Sequence, residues 1–292
     1  MNVQELIANP WRKHRFLSLW TWVYLAWAIV PVVIAIGFSF NAGRSRSVWQ
    51  GASLQWWIHD PDLSLLHNPV LGSAIRQSLV LGVATMAIAT PIGVALALGL
   101  ARWHGRGSGA SNYLMLLPLV TPEIVLATGI FFTLTHLTKP FLEPGTIGQI
   151  VGHVTWSIPY VVVVLRGRIF GVGPELEEAA MDLGAPPLQA LRRALLPILS
   201  PAIFAAFMIV FALSIDDFVT SQFLSTGSYT QTVPMLIYSS GRTAPNPALN
   251  ATATVMLVIS LGAIGLAGLG MKIVSRRRGM ESETADVARF QL

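Results

Sequence analysis

Two sets of residues in this sequence have types and spacings suited to chemistry. The first is Glu178-Ala179-Ala180, followed after three residues by Gly184, in the segment GVGPELEEAAMDLGAPPLQALRRALLP from Gly171 to Pro197. A glutamate beside two small side chains offers a polar contact that a second protein can approach closely. The second set is Glu123, Asp216 and Asp217, three acids inside otherwise apolar stretches, with no base deep in those stretches. Ionisable groups at membrane depth cost a few kcal/mol or more, so they face a cavity or a partner. Carboxylates without a nearby base make a pathway attractive to cations. Trp156 and Tyr160, in another apolar run, offer ring faces that can hold alkylammonium groups. Packing between helices is the competing use for both rings.

Other chemistries are excluded by type or spacing. The chain of 292 residues has no cysteine, so no disulfide, zinc-thiolate or thiol nucleophile is available. The six histidines, His14, His59, His67, His104, His136 and His153, are scattered and form no metal-ligand spacing. The only lysines are Lys13, Lys139 and Lys272, and none follows a glycine. A GxxxxGK[ST] phosphate loop is therefore absent, and any nucleotide-derived energy must come from another subunit.

These residues must be positioned by membrane-spanning helices. The chain is 53% hydrophobic and 11% charged, with a mean hydropathy of +0.61. Soluble domains carry about 25% charged residues, so there is too little charge for a water-facing shell. Crossing the hydrocarbon core takes about 20 apolar residues. Six runs qualify: Phe16–Phe38, Ile75–Leu100, Tyr113–Leu137, Ile147–Leu165, Pro201–Phe223 and Pro247–Val274. The expected fold is all-α and polytopic, with six transmembrane helices. The first run follows Arg12, Lys13 and Arg15 but is too long for a signal peptide, and Trp20, Trp22, Tyr24 and Trp27 mark it as a retained span with interfacial aromatics.

Charge sets the orientation. The net charge of +5 and pI near 10.0 raise a nucleic-acid partner, but the bases lie in short patches flanking apolar runs, so that reading is set aside in favour of a lipid membrane. With both termini in the cytosol, thirteen bases fall on inner segments near spans and five on outer ones, as the positive-inside rule requires. The expected division is a cytosolic tail over 1–15, a permease domain over 16–274 containing a cytosolic loop at 167–197, and a disordered cytosolic tail over 275–292. The outer segment Asn41–Gly72 carries Trp49, Trp56 and Trp57, which predicts an ordered cap. Ser225–Asn246 is also outer, and its apolar patch Val233–Tyr238 either dips into a vestibule or packs on it.

The segment Gly171–Pro197 reads as helix–turn–helix. Pro174 suits the start of a helix, and Glu175, Glu177 and Glu178 place negative charge in its first turns, where the dipole favours it. Gly184 supplies a left-handed C-terminus. Pro186 and Pro187 stop continuation and start a second helix, with Arg192 and Arg193 near its end. Taking the fifth span as one helix from Pro201, Asp216 and Asp217 lie roughly 24 Å along it. Asp217 then shares a face with Ser214 and Ser221, so the expectation is Asp217 toward the pathway and Asp216 bonded to a neighbouring helix.

The string Glu178-Ala179-Ala180, three residues, Gly184, and then a run into Leu196-Pro197 resembles the EAA loop of ABC importer permeases, with Ala194 standing where the family prefers Ile. The resemblance covers the region of all six spans and implies a type I importer permease fold. It implies that the loop docks into a cleft on a cytosolic ATPase dimer, with Glu178, Ala179, Ala180 and Gly184 carrying the coupling. ATP is then bound by the partner, and this chain needs no cofactor and is no enzyme. Ser214–Phe218, Tyr229–Tyr238, Asn246–Thr254 and His153-Val154-Thr155 resemble the PotC-type permease of spermidine/putrescine importers. That resemblance implies a second permease subunit, an extracytoplasmic solute-binding protein, a bacterial plasma-membrane location and a polyamine substrate. The same branch includes permeases for aminoalkylphosphonates and iron. A secondary cation transporter using the three acids is the rival class, and it leaves the Glu178 loop without a role.

Overall fold

A computed structural model of the chain describes residues 15–45, 48–103, 105–139, 141–242 and 248–277. Of the tail expected to be disordered over 275–292, Ser275–Arg277 instead complete the last helix, and the rest lies outside the described residues, as does the N-terminal tail before Arg15. Among the described residues the structure is helical, apart from a single isolated bridge between Asn41 and Ala52. By internal contacts the chain falls into two units, residues 1–67 with 246–254 and residues 68–245 with 255–292.

The first unit holds helix α1 (Arg15–Phe38) and the segment after it. The apolar window of α1 has a mean hydropathy of 2.1, and Trp20, Trp22 and Trp27 are exposed. The expected tryptophan cap is ordered. Trp56 is fully buried and its indole Nε1–H donates to Asn41 O at 2.7 Å, while Trp57 Nε1–H donates to Ser39 O at 3.1 Å and stacks on Phe40. The Leu63 and Asp62 N–H groups donate to the Asp60 carboxylate and hold it below the ordinary carboxylate range.

The second unit is built on three long helices: α2 (Pro69–Arg102), α5 (Thr146–Val172) and α8 (Leu196–Asp216). Asn68 starts α2 by accepting from the Val70 and Leu71 N–H groups, with Pro69 at the first helical position, where no N–H is needed. The three helices approach closely because small residues sit at their crossings. A Cβ on Gly93 would stand 2.5 Å from Val161 Cβ, and one on Gly82 would stand 2.9 Å from Ile215 Cγ1. Ala89, Ala97, Leu100, Val161, Leu165, Ala206 and Val210 fill the core between them.

Two expected spans are not single helices. The third divides into α3 (Ser108–Val120) and α4 (Glu123–Phe132), continued by a wide turn over Thr133–Leu137, and bends by 103° at Thr121–Pro122. Pro122 cannot donate the N–H that would continue the helix. The fifth ends at Asp216, and a short helix α9 (Val219–Leu224) resumes after Asp217 and Phe218. The remaining elements are the loop helices α6 (Glu175–Asp182) and α7 (Pro187–Ala190), then α10 (Val233–Arg242) and α11 (Ala248–Arg277). The apolar patch of α10 packs against α2, where the Val233 N–H donates to Ser78 Oγ at 3.0 Å. Among the described residues five helices are long and apolar enough to span a membrane, and six spans result if the bent α3–α4 pair counts as one.

Candidate functional site

The structure keeps the two sequence-derived clusters apart, at opposite ends of α8. That helix has 21 residues, which at 1.5 Å per residue is about 30 Å.

At the Leu196 end, Pro174 occupies the cap position just ahead of α6, and Glu175, Glu177 and Glu178 fill the first turn. Gly184 has φ +86°, which an L side chain rarely adopts. Its N–H donates to Met181 O at 2.9 Å, and the Ala185 N–H donates to Ala180 O at 3.0 Å. These paired bonds form a Schellman motif, which satisfies two carbonyls at the helix end. Glu178, Ala179 and Gly184 are exposed and Ala180 is half-buried, with Leu183 90% and Leu188 66% exposed beside them. Glu177 is half-buried and pairs with Arg102 at the end of α2. A cleft of about 530 Å³ opens there, walled by Arg102, Phe170, Glu177, Glu178, Met181 and Leu195.

At the other end, Asp217 is 7% exposed and lies in the break between α8 and α9. Its Oδ2 accepts from Ser221 N–H at 2.8 Å and from the Ser221 hydroxyl at 2.9 Å, and lies 3.1 Å from His153 Nε2. Its Oδ1 accepts from Thr220 N–H at a long 3.4 Å. The carboxylate thus takes the free N–H groups at the start of α9, where the helix dipole favours negative charge. Glu123, the exposed first residue of α4, reaches the Asp217 carboxyl from the other broken span. Two acids far apart in sequence therefore meet where two spans are interrupted.

Asp216 differs from its neighbour. It is exposed at the last position of α8, where the dipole disfavours a carboxylate, and has no hydrogen-bonded partner among the described residues. The bond to a neighbouring helix expected of Asp216 is made instead by Asp217, to His153 on α5. The helical wheel failed because it assumed a continuous helix through Asp217.

Trp156 and Tyr160 continue from this cluster along α5. The rings of His153 and Trp156 lie 5.7 Å apart, and those of Trp156 and Tyr160 lie 6.0 Å apart, edge to face. Trp156 Nε1 is buried without a hydrogen-bond partner among the described residues. Sequence reasoning missed the polar partners His153 and Gln149. Gln149 Nε2 donates to Ser221 O at 2.8 Å and Thr230 O at 3.0 Å, and Gln77 donates to its Oε1 at 2.8 Å. The available signal was the helical spacing of Gln149, His153, Trp156 and Tyr160, a polar and aromatic stripe along an apolar run.

The profile of the family described as binding-protein-dependent transport system inner membrane component matches residues 89–279. The chain belongs to that family. It is a multi-pass inner-membrane permease of the ABC importer class, a transport subunit rather than an enzyme, and its all-α fold agrees with the type I importer permeases. The permease is 33% identical over 272 residues to the putrescine transport system permease protein PotI of Escherichia coli K12, covering 92% of each chain. It is 34% identical over 236 residues to the spermidine/putrescine transport system permease protein PotC of the same organism, covering 81% of this chain and 86% of that one. Among solved structures, a chain of a bacterial ABC transporter that imports the acidic polysaccharide alginate superposes with a TM-score of 0.68 at 17% identity, over 87% of this permease and 94% of that chain. At that identity the likeness concerns the fold alone.

Proposed function

We propose that this permease forms half of the pathway for a small cationic solute, a polyamine of the putrescine or spermidine class, and is driven by ATPase subunits docked on its Gly171–Pro197 loop. The observation that carries the substrate class is the meeting of Glu123 and Asp217 where two spans are interrupted. Similarity to polyamine permeases along most of the chain supports the same reading. Asp217 and Glu123 attract the ammonium groups, Asp216 adds charge beside them, and Trp156 and Tyr160 offer ring faces to the methylene chain and its ammonium ends. A binding protein delivers the solute from outside, and a second permease completes the pathway. The excess of bases near one set of span ends supports a cytosolic side for both termini and the loop.

In the loop, Glu178 makes the polar contact with the ATPase, Ala179 and Ala180 allow close approach, and Gly184 holds the turn. The ion pair between Arg102 and Glu177 links the docked helix to α2. Exposed pairs contribute only about 0.2–1 kcal/mol, so breaking this one leaves the fold intact. Arg102→Glu is expected to lower solute-stimulated ATP hydrolysis by about threefold through like-charge repulsion, and adding Glu177→Arg restores it. Hydrolysis assays on the assembled complex check this; no recovery in the double variant removes the pair from the coupling route.

The substrate is tested by competition. The complex assembled with its ATPase, sister permease and binding protein takes up labelled putrescine, and unlabelled spermidine competes while the neutral diol of the same length does not. Competition by the diol, or by an aminoalkylphosphonate in preference to the diamine, reassigns the substrate.

A further inference from the structure

His153 is fully buried, and both of its ring nitrogens are used. Nδ1 lies 2.7 Å from the Ser214 hydroxyl on α8, and Nε2 lies 3.0 Å from the Ser221 hydroxyl on α9. One imidazole therefore bridges the two helices on either side of the break at Asp217. The network also assigns the protons. The Ser221 hydroxyl donates its only hydrogen to Asp217 Oδ2, so it has none for the ring. Nε2 must then carry an N–H, shared between Ser221 Oγ and Asp217 Oδ2, while Nδ1 pairs with the Ser214 hydroxyl.

This arrangement has a directional consequence. Asp217 Oδ2 receives two bonds from Ser221 and faces the Nε2–H, so its capacity to accept is taken up. Oδ1 keeps a weak contact with Thr220 N and is the oxygen with capacity left for Glu123 or an ammonium group. Gln149 closes the other side by taking Ser221 O, so α9 is held at its backbone and at its hydroxyl from the same face of α5. Neither Pro nor Gly stands at the break, at Asp217-Phe218. The polar bonds of α5 are what hold the chain out of a continuous helix there.

We infer that His153 is a positioning residue of the transport pathway: it clamps the break in the fifth span and turns Asp217 so that one carboxylate oxygen stays available to the cationic solute. This rests on the pathway role proposed above for Asp217. His153 does not touch the solute; it acts through Asp217, and its removal therefore matters only while Asp217 is present.

The test is a double-mutant cycle read as the half-saturating concentration for putrescine uptake by the full complex, with assembly measured in parallel. His153→Leu keeps the apolar volume and loses the bonds, and is expected to raise that concentration by about tenfold. His153→Gln has an amide nitrogen as many bonds from Cβ as Nε2 and is expected to recover to within about threefold of the parent. In an Asp217→Asn background, His153→Leu is expected to add less than about twofold. An equal effect in both backgrounds, or no difference between the leucine and glutamine variants, overturns the inference. If His153→Leu does not assemble, Ser221→Ala replaces it in the same cycle with the same expectation, and additivity with Asp217→Asn is again the contrary result. Unchanged uptake in Asp217→Asn itself would instead count against the pathway reading.

Discussion

Asp217→Asn is expected to reduce putrescine or spermidine uptake by at least about thirtyfold while the complex still assembles, since bonds to a charged group contribute about 1.5–3 kcal/mol each. The amide matches the carboxylate in shape and keeps an oxygen for the Ser221 N–H and hydroxyl, so α9 stays seated. What is lost is the negative charge in the break, where little water screens it and an ammonium group gains most from it. Glu123→Gln should have a smaller effect of the same sign, because Glu123 is exposed and its charge is better screened. Asp216→Asn tests the solvent-facing acid separately. Uptake unchanged in all three variants would remove the cation pathway.

The second large effect belongs to the loop. Glu178→Ala is expected to cut solute-stimulated ATP hydrolysis by about tenfold or more, because on the proposed docking it leaves a polar group of the ATPase unpaired. At Gly184 the substitution type matters. A Cβ there meets nothing within 4 Å inside the permease, so only the φ of +86° and the docked partner resist a side chain. Asparagine tolerates the left-handed region, whereas a β-branched residue does not. Gly184→Asn should therefore retain most coupling and Gly184→Val should lose it, with both proteins inserted normally. Equal loss in both would mean that the partner's approach, rather than the helix cap, sets the requirement; normal coupling in Glu178→Ala and Gly184→Val together would sink the loop assignment.

Much of this architecture was legible from local chemistry. Gly184 could be read as a left-handed cap because few residues other than glycine close a helix that way, and the structure adds the two bonds that complete it. The apolar runs announced the spans because backbone groups in lipid must be satisfied within helices. The breaks were not legible in the same way. Pro118 and Pro122 were visible in the third span, but proline predicts a kink and not a bend of 103°. The stretch Ser214–Phe223 carries no helix breaker, and its helix ends because Asp217 caps α9 and His153 bonds both sides. His153 lies more than 60 residues away in sequence from the serines it bonds, so periodicity could not show it. For the same reason the wheel put the interhelical bond on Asp216, whereas Asp217 makes it, and a histidine that forms no metal-ligand spacing lies at the centre of the polar cluster. Trp56 and Trp57 were easier, since a buried indole N–H must find an acceptor near at hand.

Uptake of labelled putrescine into proteoliposomes bearing the assembled complex, with the loaded binding protein outside and ATP enclosed or withheld, bears most directly on the central claim. The expected result is accumulation that requires enclosed ATP and disappears in Glu178→Ala. Accumulation without ATP, driven by an ion gradient and indifferent to Glu178→Ala, would contradict it and make the permease a secondary cation transporter.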